Sequence, residues 1–129
     1  MADTRNRSAQ EVFEDHLWQG KHGSVEEDFE RNYAEDVVVL TGRGAYRGRG
    51  GLEHLAGVLR EVLPDGTFEY RTRLVEGEAA FLEWTALSES AKVEDGADSF
   101  FIHDGRTVAQ TIHYAVEPLG DEQEKAGER

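Results

Sequence analysis

The sequence predicts an α+β protein in which about three N-terminal helices cover one face of a strongly curved, mainly antiparallel sheet. In the first half of the chain, apolar residues recur at helical spacing. The second half consists mostly of runs rich in Val, Ile, Phe, Thr and Tyr, residues that favour strands. Two of these runs flank Asp104–Gly105, a strong hairpin signal. Strands this apolar need helices against one face, so we expect the first half to cover the second.

The composition limits the class of protein. A chain of 129 residues holds one domain, predicted over 1–118, and the polar stretch 119–129 is predicted to be a disordered tail. The absence of cysteine excludes disulfides and zinc–thiolate sites. No apolar run is long enough to span a membrane and the start lacks a signal peptide, so we expect a soluble cytoplasmic protein with no membrane partner. A net charge of -13 opposes binding to nucleic acid.

The first helix is predicted from about Ser8 to Gly20. Ser8 is a suitable N-cap, and Gly20 and Gly23 end the helix. Trp18 lies off the apolar stripe, whereas His16 lies within it. The stripe consists of Ala9, Val12, Phe13, His16 and Leu17.

A short second helix is predicted to start at Ser24, which forms a capping box with Glu27. Its buried side is predicted to hold Val25, Phe29 and Tyr33. Glu35–Asp36 is expected to break this helix. The β-branched run Val37–Leu40 then predicts a strand buried on both sides.

A turn, a short return strand at Ala45–Tyr46 and a third amphipathic helix follow. That helix carries its apolar residues from Leu52 to Leu63 on one face and stops at Pro64. The remainder is predicted as strands Thr67–Val75 and Ala79–Leu87, a polar bend Ser88–Ala97 and the hairpin Asp98–Val116.

The register of the last hairpin decides which polar residues face the helices. A three-residue turn with Gly105 as its bulge pairs Ile102 with Arg106. This register places two sets of residues on one face: Asp98, Phe100 and Ile102 from the first strand, and Val108, Gln110, Ile112 and Tyr114 from the second. A strict two-residue turn puts Asp98 beside Thr111 and His113 instead. We favour the first register because it gathers the apolar residues on one side.

Several motifs in this order resemble the NTF2-like superfamily, and within it the SnoaL-like group. The motifs are Tyr33–Val39, Tyr46–Arg49, Phe81–Trp84 and Phe101–Arg106 running into Gln110 and His113–Tyr114. The resemblance implies a cone-shaped fold with a pocket for an apolar small molecule, and a homodimer formed through the outer sheet face. The superfamily includes isomerases, dehydratases, epoxide hydrolases, polyketide cyclases and transport factors, so the resemblance does not select one activity.

Within that superfamily, ketosteroid isomerase uses a helix tyrosine and a protonated strand aspartate as oxyanion donors, with a separate aspartate base. The resemblance places His16 at the tyrosine's position and Asp98 near the strand aspartate's position. Thr41 falls at the position of the base and cannot remove a carbon-bound proton. That mechanism is therefore not expected here. The polyketide cyclases of the SnoaL-like group imply metal-free acid–base chemistry on a polycyclic ketone, for which Asp98, His16 or His113 could serve.

Asp98 and His16 are the candidate catalytic residues. Asp98 is either a buried carboxyl group with a raised pKa or a cap for the Glu94–Gly96 bend. His16 is either a general acid or base, or a hydrogen-bonded core histidine. Glu83 and Trp84 face opposite ways on one strand, and we favour Trp84 at the ligand or at an interface.

The other candidate ligand-binding residues are Gln110, Tyr114, Tyr46 and Tyr33, which could equally be structural. No metal motif, Walker loop, nucleophile elbow or dinucleotide fingerprint is present, so no cofactor or metal is predicted. Two hypotheses follow. One is a small-molecule-binding protein, catalytic or not, with cofactor-independent acid–base chemistry of the isomerase, cyclase or dehydratase type. The other is a non-catalytic ligand-binding or dimerisation module.

Overall fold

The computed structural model describes residues 6–119, and most of the predicted polar start and tail lie outside this range. Three helices and seven strands make up the described chain. They are α1 Ala9–His22, α2 Val25–Asn32, β1 Tyr33–Thr41, β2 Gly44–Arg47, α3 Gly48–Val62, β3 Thr67–Glu76, β4 Ala79–Leu87, β5 Ala91–His103, β6 Arg106–His113 and β7 Glu117–Pro118.

The strands form one curved sheet in the order β2-β1-β6-β5-β4-β3, and β7 pairs with β5. β1 and β6 are parallel and every other pair is antiparallel. The helices cover one face, which confirms the predicted α+β fold. No helix of residues 6–119 is long and apolar enough to cross a membrane.

The two N-terminal helices begin at the predicted caps. Ser8 Oγ accepts from the Glu11 amide while the Glu11 carboxylate accepts from the Ser8 amide, a complete capping box. Ser24 Oγ accepts from the amide of Glu27, but the Ser24 amide donates to Gln19 Oε1 and not to Glu27, so the predicted capping box is only half formed. These local bonds fix where the chain enters each helix, and thereby which helical face meets the sheet.

The core consists of two apolar clusters on the helix-facing side of the sheet. The first packs α1 against β4 and β5, and the second packs α2 and the start of α3 against β1. His16, Asp98 and Gln110 belong to neither cluster. Asp98 and Gln110, the polar residues predicted to lie on the inner face, are nevertheless buried beside these apolar residues.

Four local predictions are wrong. β1 alternates, with Val37 and Val39 fully buried and Leu40 half exposed, because β1 is covered by helices on one face only. The strand begins at Tyr33, directly after α2, so no break forms at Glu35–Asp36, and Val25 is not buried. The predicted bend Ser88–Ala97 is mostly strand, since β5 begins at Ala91 and pairs with β4 from Lys92 onwards.

The last hairpin differs from both predicted registers. Asp104 and Gly105 both have positive φ angles, 51° and 75°, and form a two-residue turn that pairs His103 with Arg106. A register shift between Phe101 and Ile102 then moves the pairing by one residue, so that Asp98 lies opposite Ile112.

Because of this register shift, most of the residues that the three-residue turn predicted on the helix-facing side do lie there, although the turn itself has two residues. Phe100, Ile102 and Gln110 are buried on the helix-facing side, together with Asp98. Val108 is the exception: it is partly exposed, and Thr107 is buried in its place.

Candidate functional site

Asp98 lies in the middle of β5 and only 9% of it is exposed. Trp84 Nε1 donates a hydrogen bond of 2.9 Å to one carboxylate oxygen. Gln110 Nε2 donates one of 3.0 Å to the other. Of the two predicted environments, the structure shows the buried one, because the expected bend that Asp98 would have capped is part of the strand.

Burial raises the pKa of Asp98 from 3.8 to about 6. The hydrogen bonds from Trp84 and Gln110 and the charge of His16 lower this pKa, but their combined effect is smaller than that of burial. No cationic side chain of residues 6–119 forms a salt bridge with Asp98. A carboxyl group of this kind can take up and release a proton near neutral pH.

Gln110 extends the network to β1. Its Oε1 accepts a hydrogen bond of 2.5 Å from the Tyr33 hydroxyl, while its Nε2 donates to Asp98. Burial raises the pKa of Tyr33 well above its usual value of 10.0, so the phenol stays protonated and remains a donor. The structure thus brings together Trp84, Asp98, Gln110 and Tyr33 from four strands, all of them residues singled out in the sequence.

His16 lies on the inward stripe of α1, and its ring centroid is 5.1 Å from that of Phe100. Its Nδ1 lies 2.9 Å from a carboxylate oxygen of Asp28. His16 and Asp98 interact through their charges, but no hydrogen bond joins them within the described residues. The hydrogen-bond partner of the imidazole is Asp28, because α2 folds back against α1 and presents this carboxylate to it.

The carboxylate of Asp28 can only accept, so His16 Nδ1 donates and Nε2 is left without a partner among residues 6–119. Burial alone would lower the pKa of His16, but the charge and hydrogen bond of Asp28, with smaller contributions from Asp98 and Asp15, raise it above 6.5. A carboxylate on Nδ1 with Nε2 unengaged is the arrangement that orients a histidine for proton transfer.

Asp28 and the residue that holds it, Asn32, were not among the site residues predicted from the sequence. Asn32 is fully buried, and its Nδ2 donates to both Asp28 and Asp15 over 2.8 Å. Its Oδ1 accepts from Arg7 Nη1 over 2.9 Å. The available signal was their spacing of one helical turn, which places both polar residues on the inward face of α2 next to Phe29.

The orientation of Trp84 depends on Gly96, its cross-strand partner. A Cβ atom at Gly96 would lie 2.3 Å from the indole ring. Gly96→Ala should therefore displace the ring, weaken its bond to Asp98 and lower the free energy of unfolding by about 1–3 kcal/mol, as overpacking does. Thermal unfolding and tryptophan fluorescence would measure both effects.

The matched control is Gly57→Ala in α3. A Cβ there meets nothing closer than 3.9 Å, so this change should leave stability equal or raise it, as removal of a helical glycine does. Equal stability of the Gly96→Ala variant and the wild type would show that the indole is not held in this way.

The remaining predicted ligand-binding residues lie farther along the fold. The Tyr114 ring is 5.5 Å from that of Trp84, so it borders the network, and burial, with a smaller contribution from the charge of Asp98, raises its pKa. Tyr46 instead stacks on His54 at 5.5 Å, between β2 and α3. It shares no contact with Asp98 in the described structure.

Two hollows open on the described surface. The first, of about 540 Å³, is lined by Glu30, Tyr33, Glu35, Arg49 and Arg106. The second, of about 440 Å³, lies between α1 and β3. Neither is lined by Asp98 or His16, whose surroundings are packed by aromatic rings such as Phe100 and Trp84. No cluster of potential metal ligands occurs within residues 6–119.

The sequence matches the SnoaL-like domain family over residues 11–110. The chain therefore belongs to this family, a group within the NTF2-like superfamily, as the motifs predicted. Over 55 residues it is also 36% identical to Serpin-ZXA from Oryza sativa subsp. japonica. That match covers 41% of this chain and only 13% of the rice protein, and it shows neither a shared family nor a shared function.

Solved structures support the fold. A candidate polyketide cyclase from Sinorhizobium meliloti has a TM-score of 0.65 at 16% identity, covering 80% of this chain and 94% of that one. A candidate SnoaL-like isomerase from Agrobacterium tumefaciens has a TM-score of 0.64 at 16% identity, with coverages of 83% and 97%. An NTF2-like protein of unknown function from Cytophaga hutchinsonii has a TM-score of 0.64 at 8% identity, with coverages of 84% and 90%. Identities this low establish the fold and leave the activity open.

Proposed function

We propose that this protein binds a small apolar carbonyl compound between α3 and the sheet, and that Asp98 and His16 transfer protons to and from it without a cofactor. The observation that carries the proposal is Asp98, a buried carboxyl group with a pKa of about 6 and no salt bridge within the described residues. Groups with pKa values near the working pH serve best as general acids and bases, and they concentrate at functional sites.

The position of the ligand is inferred from α3. Only Leu52 of this helix is fully buried, although its apolar face turns towards the sheet. Ile112 of β6 and Tyr114, just beyond the end of β6, are also only partly buried, and Ile112 pairs directly with Asp98. Burying this apolar surface is the driving force that a ligand entering beneath α3 would use. The residues of α3 that would line it are Leu55, Ala56, Leu59 and Val62.

Each group has a defined role in this proposal. Asp98 accepts a proton from the carbon next to the carbonyl, and Trp84 and Gln110 hold the carboxylate in place. His16 donates or accepts through Nε2, since Asp28 engages Nδ1. The Tyr114 hydroxyl orients the carbonyl. The candidate isomerase and polyketide cyclase among the structural neighbours are consistent with reactions of this type.

Proton exchange tests the proposal without knowledge of the natural substrate. Bicyclic and tricyclic ketones would be incubated in D₂O with the protein, and loss of the proton next to the carbonyl followed by NMR. We expect exchange above the buffer rate, reduced by about 10²-fold or more in Asp98→Asn and His16→Gln, the range reported for general acid–base groups. His103→Gln, which changes an exposed histidine, is the control.

A non-catalytic ligand-binding or dimerisation module is the second candidate function. It is favoured by the two hydrogen bonds that already satisfy the oxygens of Asp98. In that case the ketones would show no catalysed exchange in any variant, and those that bind would do so equally well to Asp98→Asn.

We also propose a homodimer formed through the outer face of the sheet. Leu74, Phe101 and Leu40, on three different strands, are each about half exposed or more on this face. Pairing with a second copy would bury them. Light scattering should give twice the chain mass, and Phe101→Asp should shift the protein towards the monomer. Val116→Asp, also at a partly exposed apolar residue, should not. A monomeric wild type would rule the dimer out.

A further inference from the structure

A groove separates α1 from the edge strand β3, and Asp98 and His16 do not line it. Its volume of about 440 Å³ falls within the range of small-molecule sites. We name it the α1–β3 groove. Its walls are Trp18, Lys21 and His22 on α1, and Tyr70, Arg73 and Val75 on β3.

Aromatic rings form both walls of the α1–β3 groove. Trp18 is 54% exposed and belongs to neither core cluster. Its ring lies 5.5 Å from that of His22, which limits the directions in which the indole can turn. Across the groove, Tyr70 is positioned by a hydrogen bond of 3.4 Å to the backbone of Leu17. The exposed indole of Trp18 therefore provides a flat surface for an aromatic ring.

Positive charge is placed in the same groove by a bulge in β3. The strand register shifts between Tyr70 and Thr72, so Arg73, rather than Thr72, lies opposite Leu82 on the inner face. The guanidinium of Arg73 is 5.4 Å from the Tyr70 ring centroid and the ammonium of Lys21 is 5.0 Å from it. Two cations thus flank one tyrosine.

One acidic residue, Glu14, lines the groove together with these two cations. Glu14 accepts a hydrogen bond of 2.6 Å from Gln10, one helical turn away. In a protein with a net charge of -13, a groove with two cations against a single carboxylate is a local positive site. An anion is the ligand that this charge would attract.

We propose that the α1–β3 groove binds a flat aromatic carboxylate, with its ring on the exposed indole of Trp18 and its carboxylate on Arg73 and Lys21, the two cations that lie over Tyr70. This site is separate from the proton-transfer site proposed above and does not depend on it. The competing explanation is that Arg73 only protects an edge strand from pairing with another chain, as inward charges do. That explanation requires no ligand.

Titration with 2-naphthoate, followed by ¹H–¹⁵N NMR, separates these explanations. We expect saturable shifts of the Trp18 indole signal, identified by its loss in Trp18→Ala, while the Trp84 indole signal stays in place. Arg73→Gln should weaken binding about tenfold, since a charge-assisted contact is lost. Arg71→Gln removes an exposed charge two residues away, paired with Glu69, and should change binding by less than about twofold.

The neutral analogue 2-naphthalenemethanol should bind about tenfold more weakly than the carboxylate, since it cannot pair with the two cations. Three results would overturn the proposal. The first is the absence of a saturable shift up to about 5 mM naphthoate, a range that covers weak binding, and the second is an equal loss of naphthoate affinity in Arg73→Gln and Arg71→Gln. The third is movement of the Trp18 signal with protein concentration alone, which would place a second copy in the groove. None of these results would affect the ketone exchange assay, which reports on Asp98.

Discussion

Asp98→Asn should make the protein more stable at pH 7 while removing the proposed proton-transfer activity. In the unfolded chain the carboxyl group ionises near 3.8, whereas in the folded protein burial raises its pKa to about 6. The folded state therefore binds the proton more tightly than the unfolded state, and the free energy of unfolding falls as the pH rises from about 4 to about 6. The loss amounts to at most about 3 kcal/mol, and it is complete at pH 7.

Asparagine removes this penalty and can keep the hydrogen bonds. Its oxygen can accept from Trp84, and its amide can donate to Gln110 if that side chain turns over, with the Tyr33 hydroxyl reversing its direction. We therefore expect a gain of about 1–3 kcal/mol at pH 7 and little gain at pH 3.5, measured by denaturant unfolding across this range.

Asp95→Asn is the matched control, because Asp95 lies on the same strand but is exposed and its pKa is lowered by the Ala115 amide. A carboxyl group whose pKa is lower in the folded than in the unfolded state stabilises the protein when it is ionised. Removing its charge should therefore not stabilise the protein at pH 7. If Asp98→Asn were less stable than the wild type at every pH, the ionised carboxylate would be a structural element and the acid–base proposal would lose its main support.

His16→Leu should have the opposite effect on stability. It removes one partner of a largely buried pair and leaves the Asp28 carboxylate, whose side chain is 10% exposed, with Asn32 alone. Breaking such a pair costs about 3–5 kcal/mol. The folded pKa of His16 is raised, so its contribution is present in full below pH 6.5 and is lost as the pH rises through the folded pKa. The cost of the substitution should therefore be larger at pH 6 than at pH 9.

A double-mutant cycle with Asp28→Asn isolates this interaction. The double variant should be less destabilised than the sum of the two single variants by about 1–3 kcal/mol, since each single change breaks the same contact. His103→Leu, at an exposed histidine paired with Glu78, should leave stability unchanged. Additive effects of His16→Leu and Asp28→Asn would contradict the proposed pair.

The fold was predictable because its signals are local. The caps at Ser8 and Ser24, the apolar stripe of α1 and the Asp104–Gly105 turn each depend on residues within a few positions of one another. The register beyond the turn was not predictable, because the shift next to Phe101 depends on how β5 and β6 fit their neighbouring strands. The inner positions of Asp98 and Gln110 were nevertheless predicted, since they rest on the period-two alternation of a strand.

By itself, the sequence determined the α+β class, the family and the inward-facing polar residues, because periodicity and capping are encoded in neighbouring residues. Only the tertiary structure decided which groups bond to one another. In the folded protein, Asp28 is the hydrogen-bond partner of His16, and Trp84 and Gln110 are the hydrogen-bond partners of Asp98. These pairs join residues 12 to 14 positions apart. Such contacts depend on where whole helices and strands pack, and it is this packing, through burial, that raises the pKa of Asp98 towards neutrality.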